Sequence, residues 1–142
     1  MPHKSVLIVD DDDRLQKMLT CYFMTKSFNV LSAKDGFAAI KILETLRPDL
    51  IIFDLAMPDM DGFELCSLIK KDAIWKDIPI MAISALSAAD NRKRILSLGV
   101  VDYFEKPFEV RKLMDRVAEL LDLNEGAFRR SSGVLNFKGG EV

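Results

Sequence analysis

Residues 6–13 read VLIVDDDD, so that four apolar residues run directly into four aspartates. A short, uninterrupted apolar run of this kind is typical of a strand that is buried on both faces. Such strands occur mainly in parallel sheets that carry helices on both sides. The stretch therefore predicts an α/β fold in which acidic residues follow the first strand.

Two later apolar runs also end in charged residues. Residues 50–53 (LIIF) end at Asp54, and residues 100–104 (VVDYF) lead to Glu105 and Lys106. The carboxyl ends of parallel strands meet at one edge of a sheet, where ligands bind. We expect the carboxylates and the ammonium group to converge there, and a divalent cation would offset their mutual repulsion. Asp12 and Asp13 are instead expected at the start of the next helix, because aspartate favours that position.

Apolar runs alternate with amphipathic segments along most of the chain. The runs with the length and composition of strands are residues 5–9, 29–32, 50–53, 78–83 and 100–104. All but the second are nearly continuously apolar, so we expect these four to be buried on both faces. Helical spacing recurs between the runs, as in Leu15, Met18, Leu19 and Tyr22. The alternation predicts one parallel sheet with helices on both faces.

Length and composition indicate one globular domain. The 142 residues carry a net charge of −2, which gives no sign of a nucleic-acid surface, and we expect no direct nucleic-acid binding. No run is long enough to span a membrane and no signal peptide is visible, so we predict a cytoplasmic protein that contacts no membrane. Cys21 and Cys66 are expected to be buried, reduced thiols.

Four segments, in order, carry a resemblance to a known family. They are VLIVDDD (6–12), IIFDLAMPDMDGFEL (51–65), MAISA (81–85) and LGVVDYFEKPF (98–108). Together they resemble the receiver domain of bacterial two-component response regulators, in the form of a single receiver like that of chemotaxis regulators. The resemblance implies a flavodoxin-like doubly wound fold, with five parallel strands in the order 2-1-3-4-5 and five helices. Residues 1–123 would form this domain, and residues 124–142 a flexible tail or linker.

The resemblance also implies a phosphorylation site. The family's phosphoacceptor corresponds to Asp54, which would receive a phosphoryl group from a sensor histidine kinase or a phosphotransfer protein. Mg²⁺, or Mn²⁺, would be bound by Asp10, Asp11, Asp54 and the backbone carbonyl of Ala56, with Asp10 acting mainly through a water. Lys106 would neutralise the phosphoryl oxygens. Such a protein is a signalling phosphoacceptor that assists its own phosphorylation and dephosphorylation, rather than an enzyme.

Further positions match the parts of the family that transmit the signal. Ser84 matches the hydroxyl switch residue and Tyr103 the aromatic one, and the peptide bond between Lys106 and Pro107 is cis in the family. A downstream protein or a second copy would bind the face built from the fourth helix, the fifth strand and the fifth helix. The charged residues expected on this face are Arg92, Lys93, Arg94, Asp102, Arg111, Lys112 and Arg116.

Other interpretations of the sequence stay open. The chain could be the receiver fragment of a longer regulator or hybrid kinase, or a receiver-like binding module that works without phosphorylation. An aspartate-nucleophile phosphatase would need a second acid two residues after Asp54, where the sequence has Ala56. Ala56 and Leu86 lie two residues beyond Asp54 and Ser84, at positions that in the family flank the path of the water that attacks the phosphoryl group, and neither side chain can position a water. We therefore hypothesise that a phosphoryl group on Asp54 is hydrolysed slowly and is long-lived.

Overall fold

The computed structural model describes residues 3–57 and 60–123, in which short strands alternate with helices. The strands are β1 (Ser5–Val9), β2 (Asn29–Ala33), β3 (Leu50–Asp54), β4 (Ile80–Ser84) and β5 (Asp102–Glu105). The helices are α1 (Asp13–Thr25), α2 (Gly36–Thr45), α3 (Gly62–Lys71), α4 (Ala88–Leu96) and α5 (Val110–Leu120). The residues predicted to form the tail, 124–142, lie outside the described part.

The strands form one parallel sheet in the order β2-β1-β3-β4-β5. This confirms the flavodoxin-like fold expected from the resemblance. Val9 of β1 is paired with Phe53 of β3. Asp10 and Asp54, each one residue further along, therefore reach the same level at the carboxyl edge of the two central strands.

Both faces of the sheet are covered, because alternate residues of a strand point to opposite sides. Val6 and Ile8 of β1 belong to a core that contains side chains of α1 and α5. Leu7 and Val9 belong to the opposite core, with side chains of α2, α3 and α4. All four residues are fully buried. The continuous apolar run is thus explained by burial on both faces, as predicted for β1.

The prediction that the fifth strand is buried on both faces is wrong. β5 begins at Asp102, two residues later than expected, and pairs only with β4. It is an edge strand whose residues are half-buried or exposed, and Val101 before it is 36% exposed. The apolar residues at 100–101 lie in the connection from α4 instead of in the sheet.

The prediction of two buried thiols is correct for Cys66 and wrong for Cys21, which is exposed. The buried stripe of α1 includes Leu19 and Phe23. Cys21 is two residues from each, about 200° around the helix, and therefore faces solvent. Within residues 3–57 and 60–123, no helix combines the length and apolar character that crossing a membrane would require.

Candidate functional site

The buried polar side chains of the described residues all lie near the carboxyl edge of the sheet. They are Asp10, Gln16, Asp54 and Ser84. A buried polar group is costly unless it is paired, so a cluster of them marks a place that packing alone does not explain. The site is built around this cluster.

Short backbone loops orient the two buried carboxylates. Asp10 Oδ1 accepts a hydrogen bond from Asp12 N at 2.8 Å, and Asp54 Oδ1 accepts one from Ala56 N at 2.9 Å. The loop after β3 returns close to its own start, because Gly62 N donates to Leu55 O at 3.0 Å. A Cβ at Gly62 would lie 2.6 Å from the carbonyl oxygen of Asp54, so only glycine permits this approach. Each carboxylate thereby directs its second oxygen, Oδ2, into the cleft.

Lys106 joins the two carboxylates from the other side of the cleft. Its Nζ lies 2.8 Å from Asp54 Oδ2 and 3.2 Å from Asp10 Oδ2. Its backbone N–H donates to Ser84 O at 2.7 Å, which fixes the loop after β5 to the end of β4. The Lys106–Pro107 peptide bond is cis. One ammonium group thus contacts two carboxylates, that of Asp10 directly after β1 and that of Asp54 at the end of β3.

Burial and charge act against each other at this site. Burial raises the pKa of Asp10 from 3.8 to about 6, although the bond from Asp12 and the charge of Lys106 oppose the rise. For Lys106 burial favours the neutral amine, but the bond to Asp54 and the charges of Asp10 and Asp54 outweigh it. The pKa of Lys106 is therefore raised, and the ammonium group stays charged at neutral pH.

Three carboxylates are grouped closely enough to share a cation. Asp10, Asp11 and Asp54 each offer an oxygen within 4.8 Å of the others. Asp11 is exposed, whereas Asp10 and Asp54 are buried. Hard divalent cations such as Mg²⁺ take carboxylate oxygens and keep several waters, so a partly open set of this kind fits such an ion. The neighbours Asp12 and Asp13 are not in the group. Asp12 caps α1 and Asp13 begins it, as predicted.

Ser84 and Tyr103 lie on the β4 side of the cleft. Ser84 Oγ accepts a long hydrogen bond from Leu86 N at 3.3 Å. The Tyr103 hydroxyl donates to the carbonyls of Leu86 and, at 3.2 Å, Ser84, and its ring packs against the core. Burial raises the pKa of Tyr103, so the hydroxyl keeps its proton at neutral pH. The aromatic side chain is therefore turned inward, against the loop that joins β4 to α4.

Sequence reasoning missed Gln16 and the contact that Glu105 makes. Gln16 is buried beneath Asp10, and helical spacing to Leu19 and Phe23 was the signal that could have located it. The carboxylate of Glu105 accepts the N–H of Ala88 at 2.6 Å and so connects the end of β5 to the start of α4. No pattern in the sequence indicates this second contact.

Some charged residues of the face formed by α4, β5 and α5, which was predicted to bind a partner, are already engaged in contacts within the chain. Arg116 is paired with Asp102 at 3.0 Å and with Glu119 at 3.0 Å. The Arg94 guanidinium lies 3.5 Å above the Phe63 ring, so this side chain is directed towards α3.

Comparisons with known proteins point in one direction. Residues 6–118 match the family model described as the response regulator receiver domain. The heme response regulator HssR of Staphylococcus aureus is 36% identical over 115 residues, which are 81% of this chain and 50% of the relative. The chain thus spans about half the length of the curated relatives it matches.

Two solved structures illustrate the similarity of the fold. The receiver domain of a signal transduction histidine kinase from Syntrophus aciditrophicus has a TM-score of 0.78 and 31% identity, covering 84% of this chain and 90% of that one. The receiver domain of a sensor histidine kinase from Pseudomonas aeruginosa has a TM-score of 0.77 and 25% identity, covering 85% and 99%. The latter was solved with a magnesium ion coordinated in its active site cleft.

Proposed function

The chain belongs to the response regulator receiver family of two-component systems, and from this premise we propose that Asp54 is its phosphoacceptor. One observation carries the proposal. The Asp54 carboxylate is 5% exposed, is held by Ala56 N and Lys106 Nζ, and belongs to the acidic group with Asp10 and Asp11. Packing alone does not explain why a half-buried lysine and two further carboxylates lie beside this aspartate.

The reaction is a phosphoryl transfer from a phosphohistidine. A carboxylate oxygen of Asp54 forms a bond to phosphorus as the bond from phosphorus to the imidazole nitrogen breaks. Such transition states are loose, so positioning and charge stabilisation supply most of the catalysis. Ala56 N and Lys106 Nζ hold the carboxylate, and the ammonium group would move to an oxygen of the incoming phosphoryl group. The chain assists its own phosphorylation and dephosphorylation and is not an enzyme acting on a separate substrate.

We further propose that Mg²⁺, or Mn²⁺ in its place, binds at this edge of the sheet. Asp10, Asp11, Asp54 and the backbone carbonyl of Ala56 would hold the ion, with Asp10 acting mainly through a water. The ion would neutralise phosphoryl oxygens as charge develops on them. The grouping of the three carboxylates and the magnesium-bound relative from Pseudomonas aeruginosa support this assignment.

The donor would be a sensor histidine kinase or a phosphotransfer protein, and the response would pass through Ser84 and Tyr103. Ser84 Oγ accepts a long bond from Leu86 N, and its O–H could donate to a phosphoryl oxygen. Movement of this loop would alter the two carbonyls that accept from the Tyr103 hydroxyl. The face formed by α4, β5 and α5 would then bind a downstream protein or a second copy. The cytoplasmic location stays a prediction.

Two alternatives share the same fold. The domain assignment, with residues 1–123 as the receiver, is compatible with a piece of a longer regulator or hybrid kinase, in which the chemistry is unchanged. A binding module that works without phosphorylation is less favoured, because Asp10, Asp11, Asp54 and Lys106 come together with the contacts that the reaction needs.

Intact-mass spectrometry after incubation with acetyl phosphate tests the proposal. We expect one phosphoryl adduct that requires Mg²⁺ and is absent from Asp54→Asn. Asp77→Asn, which removes an exposed carboxylate outside the site, should be labelled like the wild type. If neither acetyl phosphate nor a phosphorylated histidine kinase or phosphotransfer protein labels the wild type, the phosphorylation-independent binding module becomes the better interpretation.

A further inference from the structure

Gln16 makes an unusual set of contacts beneath the acidic site. It lies in the first turns of α1 and is 8% exposed. Its Nε2 lies 2.9 Å from Ile8 O, 3.1 Å from Asp10 O and 2.9 Å from Ala33 O. These carbonyls belong to β1, to the residue after β1, and to the last residue of β2. One side-chain amide therefore ties a helix to the ends of two strands.

The orientation of this amide follows from its surroundings. If the group were turned over, its oxygen would face three carbonyl oxygens and be repelled, so the nitrogen must point towards them. Gln16 Oε1 is buried and has no hydrogen-bond partner in the described part of the chain. A buried acceptor without a partner is unfavourable. An apolar side chain of similar size would fill the space without that penalty. What the amide offers in its place is the set of contacts between its Nε2 and the three carbonyls.

The carbonyl of Asp10 is the informative contact, because it belongs to the peptide unit that joins Asp10 to Asp11. The N–H of Asp10 donates to Ala33 O at 3.0 Å. Its carboxylate is turned back by Asp12 N at 2.8 Å. With Gln16 on the carbonyl, every polar group of Asp10 has a partner. The peptide unit that sets the direction of both carboxylates cannot rotate without breaking one of these bonds.

We propose that Gln16 is a positioning residue for the acidic site. By fixing the peptide unit between Asp10 and Asp11, it holds their carboxylates towards Asp54 before a cation arrives. Groups that orient metal ligands in this way contribute to affinity without contacting the metal. The inference rests on the cation site proposed above and adds a residue to it that lies in neither the cleft nor the motifs.

The test is the dissociation constant for Mg²⁺ of Gln16→Met, measured by isothermal titration calorimetry. Methionine keeps the size of the side chain and removes the amide. We expect binding about tenfold weaker than in the wild type, the lower part of the range seen when such supporting groups are removed. Hydrogen exchange of the Asp10 and Asp12 amides in the metal-free protein should be faster than in the wild type, which reports the loosened loop without any metal.

Two control variants separate positioning from a general loss of stability. Thr25→Val removes a side-chain bond to the Tyr22 carbonyl at the other end of the same helix. Leu43→Ala destabilises the core on the opposite face of the sheet. Both should bind Mg²⁺ within twofold of the wild type. Gln16→Asn is a second test variant in case Gln16→Met does not fold, because its shorter amide cannot reach all three carbonyls.

The outcomes are distinct. Weaker Mg²⁺ binding and faster amide exchange in the Gln16 variants alone would support the inference. An unchanged dissociation constant in a folded Gln16 variant would overturn it and leave the proposed function intact. Absence of Mg²⁺ binding by the wild type would overturn the cation site itself, and this inference with it.

Discussion

Lys106 Nζ lies 2.8 Å from Asp54 Oδ2 and connects two residues that are 52 positions apart in the chain. The same nitrogen is 3.2 Å from Asp10 Oδ2, so that one cation is shared between two buried anions. In a buried cluster, removal of one member leaves the others uncompensated, and the effect exceeds that of a surface pair.

Lys106→Met is therefore expected to lower the free energy of unfolding of the metal-free protein by about 3 kcal/mol. Phosphorylation of Asp54 by acetyl phosphate should slow by about 10²- to 10³-fold, as when one charge-stabilising donor is removed from an active site. Urea denaturation and the rate of adduct formation measure the two effects. Lys112→Met, which removes an exposed ammonium group 3.9 Å from Glu109, is the control and should change neither. A similar loss in both variants would contradict the role given to Lys106.

Mg²⁺ at millimolar concentration should raise the melting temperature by several degrees, because an ion that binds only the folded state stabilises it by mass action. At a hundredfold excess over the dissociation constant, this amounts to about 2.7 kcal/mol. Asp11→Asn should reduce the shift measured by calorimetry. Asp13→Asn makes the same charge change three residues after Asp10 but outside the carboxylate group, so its shift should equal that of the wild type. Equal reductions in the two variants would argue for diffuse binding to the acidic run.

Asp10 gives the metal-free protein a pH dependence. Its pKa is about 6 in the folded protein, compared with 3.8 for an aspartate exposed to water, so the folded state holds the proton more tightly than the unfolded state. The stabilisation is complete below about pH 4 and is lost as the pH rises through 6. As the pH rises from 4 to 7, the free energy of unfolding of Asp10→Asn should therefore increase by about 2–3 kcal/mol relative to that of the wild type. Urea denaturation measures this difference. A constant difference would show that Asp10 is not shifted.

The same titration predicts how Mg²⁺ binding depends on pH. In the proposed site the ion is held with the help of the ionised carboxylate of Asp10, so the affinity for Mg²⁺ should fall by about tenfold for each pH unit below 6. Calorimetric titrations at several pH values measure this. In Asp10→Asn, Mg²⁺ binding should be weaker at neutral pH, and the affinity should depend less on pH between 5 and 6.

The phosphoryl group on Asp54 should be lost slowly, with a lifetime measured by mass spectrometry after removal of the donor. Ala56 is exposed beside Asp54, and Leu86 is half-buried beyond Ser84. Neither side chain can hydrogen-bond an attacking water. Ala56→Asn introduces an amide that can do so and should shorten the lifetime severalfold, whereas Ala56→Val should not. Rapid loss from the wild type would refute the hypothesis.

The two thiols should differ in reactivity. Cys21 is exposed on α1, whereas Cys66 is fully buried, its Sγ donates to Leu98 O at 3.3 Å, and burial raises its pKa. Because the thiolate is the reactive form, a disulfide reagent should modify one thiol per folded chain. That reaction should disappear in Cys21→Ser, and Cys66 should react only after denaturation. Two thiols reacting at equal rates in the folded protein would contradict the structure.

The sequence predicted the fold well where hydrophobic pattern and position in the sheet agree. β1 and β3 are central strands, and their continuous apolar runs required burial on both faces. The same reasoning failed for β5, since an apolar run does not reveal how many neighbours a strand has. The contact of Glu105 with Ala88 could not be predicted either, because it depends on where α4 begins relative to the end of β5. The positions of Gln16 and Cys21 could have been predicted from the sequence. The apolar stripe through Leu19 and Phe23 places Gln16 on the buried side of α1 and Cys21 on the exposed side.

The position of the acidic site in the sheet also determines where a disturbance can travel. β1, β3 and β4 are each paired on both sides and packed on both faces, so they form the stiffest part of the sheet. β2 and β5 are edge strands that are paired on one side only and partly exposed. Of these two edges, the β5 edge is in direct contact with Asp54, because Lys106 follows β5 and its Nζ lies 2.8 Å from Asp54 Oδ2. A charge added at Asp54 is therefore mechanically coupled, through this one side chain, to a compliant margin of an otherwise stiff sheet.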